Sequence, residues 1–378
     1  MSGIYIHIPF CKKACHYCDF HFSTSLDRKK ELVSAINKEI LHRASSLEGQ
    51  QVDTIYFGGG TPSILSYDEL MSIFDTIQGH FNISSLPEIT LEANPDDLTT
   101  LHLRDLKRTP INRFSIGIQS FRDEDLKMMN RAHEAKEGEY SVKAAQDAGF
   151  ENITIDLIYA IPGLSMDHWK RNVEKALHLE VPHLSAYCMT IEEKTAFGKW
   201  EKTGKLVQAP DTLANDQYTY LVLQTILAGY DHYEVSNFGR EGFHSRHNTS
   251  YWQGIPYLGI GPSAHSFDGL RTRRWNVSNN PLYIKAIEEN TGYWEEENLS
   301  DRDLYNEYIM TGLRTAQGIQ IETVANRFGV ELLAQFEEEI SGYLEEEWME
   351  RNGDQLRLTE KGFFLADRIA SDLFLVNA

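Results

Sequence analysis

The sequence predicts an α/β protein: a partial (β/α) barrel, expected to have six units, followed by a small C-terminal α+β domain of winged-helix-like form. Three observations support this fold class. Strand-like and helix-like segments alternate up to about residue 230, which is typical of βαβ units and a parallel sheet. Chemically reactive residues fall where the strands end, the face that carries the site in a parallel barrel. The alternation stops near residue 236, and helical patterns return from Ser300.

The barrel elements follow one another in order. Predicted strands occupy 4–8, 52–57, 89–91, 114–118, 153–159 and 184–189. Predicted helices occupy 26–44, 68–79, 125–129, 140–149 and 167–179. A flat doubly wound sheet is the alternative topology, because periodicity alone does not distinguish a closed sheet from an open one.

The chain is expected to divide into three parts: residues 1–236 for the barrel, 237–299 for an irregular connecting segment, and 300–378 for the C-terminal domain. Glycine and proline interrupt the middle segment, which predicts loops and short strands rather than another helix. The last segment contains helical patterns, a short strand at 355–359 and a final helix, and this order resembles a winged helix.

Composition limits the function classes. A formal net charge of -20 argues against a nucleic-acid backbone or an anionic lipid surface as the main partner, although winged folds often bind DNA. No apolar run is long enough to cross a bilayer, and few residues precede the first strand, so we expect a cytoplasmic protein. Clustered cysteines suit a reducing compartment and a metal centre better than disulfides.

Three of the four cysteines, Cys11, Cys15 and Cys18, stand in a C-x3-C-x2-C spacing directly after the first predicted strand. A structural zinc site would need a fourth protein ligand, and none is nearby in sequence. A 4Fe-4S cluster can be held by three thiolates, which leaves one iron open to a ligand that is not protein. The alternative is three incidental buried cysteines. Cys188 lies in an apolar strand and is expected to be a buried free thiol.

This cysteine loop, following Tyr-Ile-His-Ile-Pro-Phe at 5–10, resembles that of the radical S-adenosylmethionine superfamily. The similarity is greatest to the branch that contains oxygen-independent coproporphyrinogen dehydrogenase and the HemW-type heme chaperones. The resemblance implies a partial TIM-like barrel and a 4Fe-4S cluster whose fourth iron is chelated by S-adenosylmethionine.

The resemblance also implies residues that contact S-adenosylmethionine. They are Tyr5, Tyr17, Gly59, Gly60, Thr61, Glu92, Gln119, Arg131 and Asp156. Glycines allow a ligand to approach the backbone, whose N–H groups can point at a carboxylate, but a tight βα turn would use them as well. The acids, the amide and the arginine suit a zwitterionic nucleoside. The alternative for each is a hydrogen-bonded structural polar group.

His-Asn-Thr-Ser-Tyr-Trp at 247–252 fits H-N-x-x-Y-W, which resembles the heme-binding pattern of HemW-type proteins. On this resemblance, His247 would bind the heme iron, and nearby arginines would meet the propionates. Those arginines are Arg246, Arg271, Arg273 and Arg274. The alternative is a surface or hydrogen-bonded histidine. No ligand role is predicted for His7, His16, His21, His133 or His265.

Two departures argue against the dehydrogenase: Phe20 stands where its loop carries a further cysteine, and its long N-terminal extension has no counterpart here. The resemblance therefore implies a heme chaperone that delivers heme to recipient respiratory proteins, with the dehydrogenase as the alternative. An electron donor for the cluster and peripheral membrane contact through the recipients are further implied, and nucleic acid is not an expected partner.

Overall fold

The computed structural model describes residues 1–376. Its strands are β1 (Ser2–Ile8), β2 (Gln51–Gly59), β3 (Asn82–Ala93), β4 (Arg113–Gln119), β5 (Asn152–Tyr159), β6 (His183–Cys188), β7 (Asp231–Glu234), β8 (Asn237–Gly239), β9 (Tyr257–Ile260), β10 (His265–Phe267), β11 (Thr272–Asn276), β12 (Trp294–Asn298), β13 (Ile319–Gln320), β14 (Met349–Asn352) and β15 (Gln355–Leu358).

Its helices are α1 (Lys29–His42), α2 (Tyr67–His80), α3 (Thr100–Leu106), α4 (Asp123–Met128), α5 (Ala135–Asp147), α6 (Met166–His178), α7 (Ala196–Lys202), α8 (Asp211–Leu227), α9 (Arg246–Trp252), α10 (Asn280–Glu289), α11 (Asp301–Leu313), α12 (Ile321–Phe328), α13 (Val330–Glu345), α14 (Glu360–Phe363) and α15 (Ala366–Asp372). Within the described residues, no helix combines the length and apolarity needed to span a membrane.

The predicted (β/α) barrel is present. Strands β1 to β6 lie parallel and side by side in chain order, and helices connect each strand to the next. The large sheet runs β12-β11-β10-β9-β1-β2-β3-β4-β5-β6-β8-β7, so β1 and β6 do not pair with each other and the barrel is partial.

The strands alternate between a helix-facing side and an inner side. In β1, Ile4, Ile6 and Ile8 are fully buried in the hydrophobic core. The residues between them point into the barrel, where the ring of Tyr5 stacks on that of Tyr56 from β2 at 6.0 Å. The barrel interior is therefore lined by polar and aromatic side chains that are available to a ligand.

The segment 237–299 extends the sheet instead of leaving it. β9 pairs in parallel with β1, β8 pairs antiparallel with β6, and β10 to β12 continue the sheet beyond β9. The expected short strands are found, but the expectation of no further helix is wrong, since α9 and α10 both lie here. Both helices begin at side-chain N-caps, Ser245 and Asn279. The expectation rested on the glycines and prolines of this segment and did not take these capping residues into account.

The C-terminal part has the order α11-β13-α12-α13-β14-β15, which is that of a winged helix. It contacts the barrel at β7, where Val235 N donates to Arg314 O at 2.9 Å and Ala316 N donates to Tyr233 O at 3.0 Å. The domain boundaries at 236 and 299 stay a prediction, and the last two residues of the predicted 300–378 domain lie outside the described residues.

Candidate cofactor-binding site

The three clustered cysteines lie in the cysteine loop, residues 9–22, at the C-terminal end of β1. All are free thiols and partly buried. The loop is fixed by hydrogen bonds from its backbone: Cys11 N donates to Ser23 O at 3.0 Å, and His16 N donates to Met129 O at 3.0 Å. The loop is thus held against the end of α4, with its thiols near one another.

Two of the three thiols, Cys11 and Cys18, resist ionisation in the apo protein. Burial raises the pKa of Cys11 to about 11, and the neighbouring thiols Cys18 and Cys15 add to the rise. Burial likewise raises the pKa of Cys18. Among the described residues, no three His, Cys, Asp or Glu side chains converge closely enough to hold a single metal ion. Ligation by these thiols would suit a group with several positive centres, which would deprotonate them.

Arg131 joins the cysteine loop to the strands beside it. Its Nη1 lies 3.4 Å from Cys15 Sγ and 3.4 Å from Tyr17 Oη, and its Nη2 donates to Asn94 Oδ1 at 2.7 Å. The Nε atom is buried and has no hydrogen-bond partner among the described residues. A buried cation with one unused donor suits an anionic ligand group at this position.

The glycine after β2 allows close packing. A Cβ on Gly60 would lie 2.8 Å from Ile8 O and 2.8 Å from Phe10 O. The predicted N–H donors are already engaged: Gly60 N donates to Ile8 O at 2.9 Å and Thr61 N to Phe10 O at 2.8 Å. As placed, these N–H groups do not face a ligand, while Thr61 Oγ1 lies 3.7 Å from Cys11 Sγ and touches the cysteine loop directly.

Glu92 and Asp156 form an acidic pair inside the barrel. Glu92 accepts hydrogen bonds from Tyr56 Oη at 2.8 Å and from Gly59 N at 3.2 Å. Asp156 accepts from Ser115 Oγ at 3.2 Å. Burial raises the pKa of Glu92 to about 7, with Asp156 adding to the rise, and burial raises the pKa of Asp156 to about 6. Because two neighbouring carboxylates repel each other, a bound cation would stabilise the state in which both are ionised.

Gln119 and Tyr5 complete the inner face. Gln119 ends β4 with a φ of 66°, a left-handed conformation that is uncommon for a residue other than glycine. Its amide lies over Gly117, next to the Arg131 guanidinium. Tyr5 Oη lies 3.2 Å from His7 Nδ1. The predicted contact residues other than His247 therefore meet around one end of the barrel, and their roles stay predictions.

His247 is placed differently from what its motif suggests. It is 1% exposed, its Nδ1 lies 2.7 Å from Thr54 Oγ1, and its Nε2 lies 2.8 Å from Tyr251 Oη. Burial lowers its pKa to about 3. As placed, neither ring nitrogen is open to a heme iron, so the prediction of an available ligand disagrees with this conformation. Helix α9 instead closes the barrel beneath Tyr5 and Tyr56, whose rings lie 6.5 and 4.9 Å from that of His247.

A large cavity of about 2510 Å3 runs from the cysteine loop, past α9 and β10, to the C-terminal domain. Arg271 and Arg273 line it, whereas Arg246 and Arg274 do not. Arg274 instead stacks over the Trp294 ring at 3.6 Å. Two of the four arginines proposed for propionates are thus near this cavity.

Cys188 ends β6 and is exposed, so the expectation of a buried thiol is wrong. It is the last residue of a strand whose first four residues are buried, and the strand leaves the core there.

Sequence reasoning missed residues that complete the site from neighbouring positions. Tyr56, Asn94 and Ser115 bond Glu92, Arg131 and Asp156, respectively. Asn94 could have been identified from the sequence, because it comes directly after the end of β3 and two residues after Glu92. Tyr56 and Ser115 point inward within strands, and only the register of the sheet places them.

The matches to known proteins agree with this arrangement. Residues 5–176 match the family model described as the Radical SAM superfamily, and residues 299–365 match the HemN C-terminal domain. The structure of coproporphyrinogen III oxidase (HemN) from Escherichia coli superposes with a TM-score of 0.84 at 21% identity, covering 99% of this chain and 90% of that one. The fold and its cysteine loop thus define a protein of the radical SAM superfamily with a HemN-type C-terminal domain.

Sequence relatives narrow the class. Heme chaperone HemW of Lactococcus lactis is 35% identical over 99% of this chain and 97% of its own length. Heme chaperone HemW of Bacillus subtilis is 32% identical, with 98% of each chain covered. This chain belongs to the HemW heme chaperone family.

Proposed function

We propose that this protein is a heme chaperone that binds a 4Fe-4S cluster, S-adenosylmethionine and heme, and delivers heme to recipient respiratory proteins. The observation that carries the proposal is the large cavity, which joins the cysteine loop to the motif helix α9 and the C-terminal domain. Its volume of about 2510 Å3 exceeds the roughly 300–1,000 Å3 of ordinary small-molecule pockets. Such a space suits a large flat ligand near the cluster.

Cys11, Cys15 and Cys18 would hold the cluster. Three partly buried, unoxidised thiols on one loop, with no fourth cysteine beside them, suit a cluster that keeps one iron open. When reduced by an electron donor, the cluster would supply the electron that cleaves a sulfonium. Arg131 would keep the loop close to the strand ends through its contacts with Cys15 and Asn94.

S-adenosylmethionine would lie beside Arg131 and the acidic pair. The unused Nε–H of Arg131 would meet its carboxylate, and Glu92 or Asp156 would meet its cationic groups or ribose hydroxyls. Gln119 extends this set with an amide near the same guanidinium. The walls of the nucleotide site would be formed by residues that contact the ligand without using their backbone donors, namely Tyr5, Tyr17, Gly59, Gly60 and Thr61.

Heme would occupy the large cavity, with Tyr251 and Trp252 of the H-N-x-x-Y-W helix in its wall. Aromatic side chains suit a porphyrin face. Arg271 and Arg273 would meet the propionates from the same wall. Reaching His247 would require α9 to move, because both of its nitrogens are bonded.

Heme titration of the protein, with and without a cluster reconstituted from iron and sulfide under anaerobic conditions, tests the proposal. We expect stoichiometric heme binding, a spectral change of the cluster when S-adenosylmethionine is added, and transfer of heme to an apo-cytochrome. A preparation that binds neither heme nor the nucleotide would contradict it.

Oxygen-independent coproporphyrinogen dehydrogenase is the second candidate, because the fold is shared with HemN. The position where its cysteine loop carries a further cysteine is Phe20 here, a side chain that is 73% exposed and lines the large cavity. We therefore expect no protoporphyrinogen from anaerobic incubation with coproporphyrinogen III, S-adenosylmethionine and a reductant. Clear product formation would replace the chaperone with the enzyme.

Nucleotide affinity should depend on pH through Glu92. Because burial raises its pKa to about 7 and a bound cation would lower it again, binding of S-adenosylmethionine should release a proton. Affinity should then rise with pH up to about 7 and level off above it, by at most about tenfold per pH unit.

Calorimetric titration from about pH 5.5 to about pH 8, in the wild type and in Glu92→Gln, measures this dependence. The variant should lose the step near 7 and keep the one near 6 that belongs to Asp156. Titration of the nucleotide itself cancels in the comparison. An unchanged slope in Glu92→Gln would remove Glu92 from the nucleotide site.

A further inference from the structure

Five histidines line the large cavity, and their hydrogen bonds distinguish them. They are His7, His21, His232, His244 and His265. His7 uses both ring nitrogens, on Tyr5 Oη and His21 O. His232 also uses both, on Glu360 and Tyr218.

The next two are bound through one nitrogen each. His21 Nε2 lies 2.7 Å from Asn280 Oδ1, and His244 Nε2 lies 3.1 Å from Asp231 Oδ2. Within residues 1–376, His265 is the cavity histidine whose ring makes no hydrogen bond. Both of its ring nitrogens are therefore unengaged, and either could present its lone pair to an iron.

The surroundings of His265 suit a porphyrin. It is exposed on β10, and its ring stacks at 6.1 Å and 27° on Trp275, its partner across the hairpin. Phe267 and its cross-strand partner Arg273 lie on the same face of the hairpin, two residues further along each strand. An imidazole, two aromatic rings and a guanidinium are thus presented side by side.

The charge state of His265 also favours coordination. Burial and the nearby Arg273 both lower the pKa of His265 below its usual value, which favours the neutral imidazole. A neutral imidazole is the form that binds metals. Arg273 is held by Glu307 at 2.8 Å and keeps further N–H donors for a carboxylate.

We propose that His265, rather than His247, supplies the axial ligand to heme iron in the large cavity, with Arg273 directed at a propionate. This inference rests on the proposed function, since it assumes that heme is the ligand. It replaces the sequence-based expectation that His265 has no ligand role. The sequence motif selects His247, which the fold buries, whereas the hairpin that follows the motif exposes His265.

Titration of the full chain with ferric heme tests the ligand. In His265→Ala we expect at least tenfold weaker binding and loss of the Soret band position typical of imidazole ligation. Added imidazole should restore that band, which a purely structural role of His265 would not predict. His265→Met should bind heme with a spectrum typical of a sulfur ligand, which covers the case in which the alanine variant folds poorly.

Two control variants complete the design. His244→Ala removes a cavity histidine bound to Asp231, and His247→Ala removes the motif histidine. His244→Ala should keep heme affinity within about threefold, and both variants should keep the wild-type spectrum. Loss of the spectrum in His247→Ala with retention in His265→Ala would overturn the inference but leave the proposed function standing. Failure of the wild type to bind heme would instead refute the proposed function itself.

Discussion

Replacing any one of Cys11, Cys15 and Cys18 with alanine will abolish the visible absorption of the reconstituted iron–sulfur cluster. The three thiols share one loop, and no fourth cysteine stands beside them in sequence to replace a lost ligand. A cluster with one open iron is held by only three protein ligands. Losing one of them would leave a second iron without a protein ligand, and the cluster should then be lost during gel filtration. Absorption near 400 nm and iron content per chain, after anaerobic reconstitution, measure the effect.

Cys188→Ala is the matched control. Cys188 is also a free thiol, and it is exposed at the end of β6 rather than in the cysteine loop. Its variant should reconstitute with wild-type absorption and iron content. If Cys188→Ala lost the cluster while one of the loop variants kept it, the assignment of three loop ligands would be wrong.

The chemistry of the loop gives this prediction a second readout. Burial raises the pKa of Cys11 to about 11 and also raises that of Cys18, so the apo protein carries neutral thiols at these two positions at pH 7. Cluster binding must release those protons, which makes reconstitution less complete as the pH falls. In the apo protein, Cys11 and Cys18 should react slowly with a thiolate-selective reagent, because the thiolate is the nucleophile.

Much of the barrel could be predicted from local pattern. The strand expected at 153–159 is β5 (Asn152–Tyr159), and the helix expected at 167–179 is α6 (Met166–His178). Periodicity succeeds here because each strand buries one face beneath helices. It understated β3, predicted over 89–91 and found over Asn82–Ala93, because the first half of that strand is largely exposed and polar.

The site was predictable only in part, for a physical reason. Residues at strand ends meet because parallel strands end at one face, so the cysteines, Glu92, Gln119 and Asp156 could be grouped from sequence. The position of His247 depends instead on contacts with Thr54 and Glu88, 193 and 159 residues away in the chain. No local pattern reports such contacts, and a motif match does not say which way a helix faces.

Glu88 should therefore matter more to the fold than any sequence pattern suggests. Its carboxylate accepts hydrogen bonds from Arg246 N at 3.0 Å and His247 N at 2.9 Å, the first backbone donors of α9. The same carboxylate lies 3.9 Å from Arg113 Nε, and the two side chains are 4% and 2% exposed. One buried acid thus anchors the motif helix and balances a buried cation.

Glu88→Ala should lower the free energy of unfolding by about 3–5 kcal/mol, because it removes the carboxylate beside the buried Arg113 and the acceptor of the first two backbone N–H groups of α9. Urea unfolding of the apo protein measures the loss. Glu88→Gln, which keeps an acceptor oxygen, should cost less. Pairing Glu88→Ala with Arg113→Met should recover part of the loss, because the uncompensated charge is gone, and a double-mutant cycle quantifies the coupling.

Glu151→Ala is the control, since Glu151 is exposed just before β5 and should change stability by less than about 0.5 kcal/mol. Equal midpoints for Glu88→Ala and Glu151→Ala would show that α9 is not anchored through this carboxylate.

The Glu88→Ala variant also bears on heme binding, because Tyr251 and Trp252 of α9 line the large cavity. A helix released at its first turn should no longer hold those rings in place, so heme affinity should fall in Glu88→Ala even though Glu88 does not line the cavity.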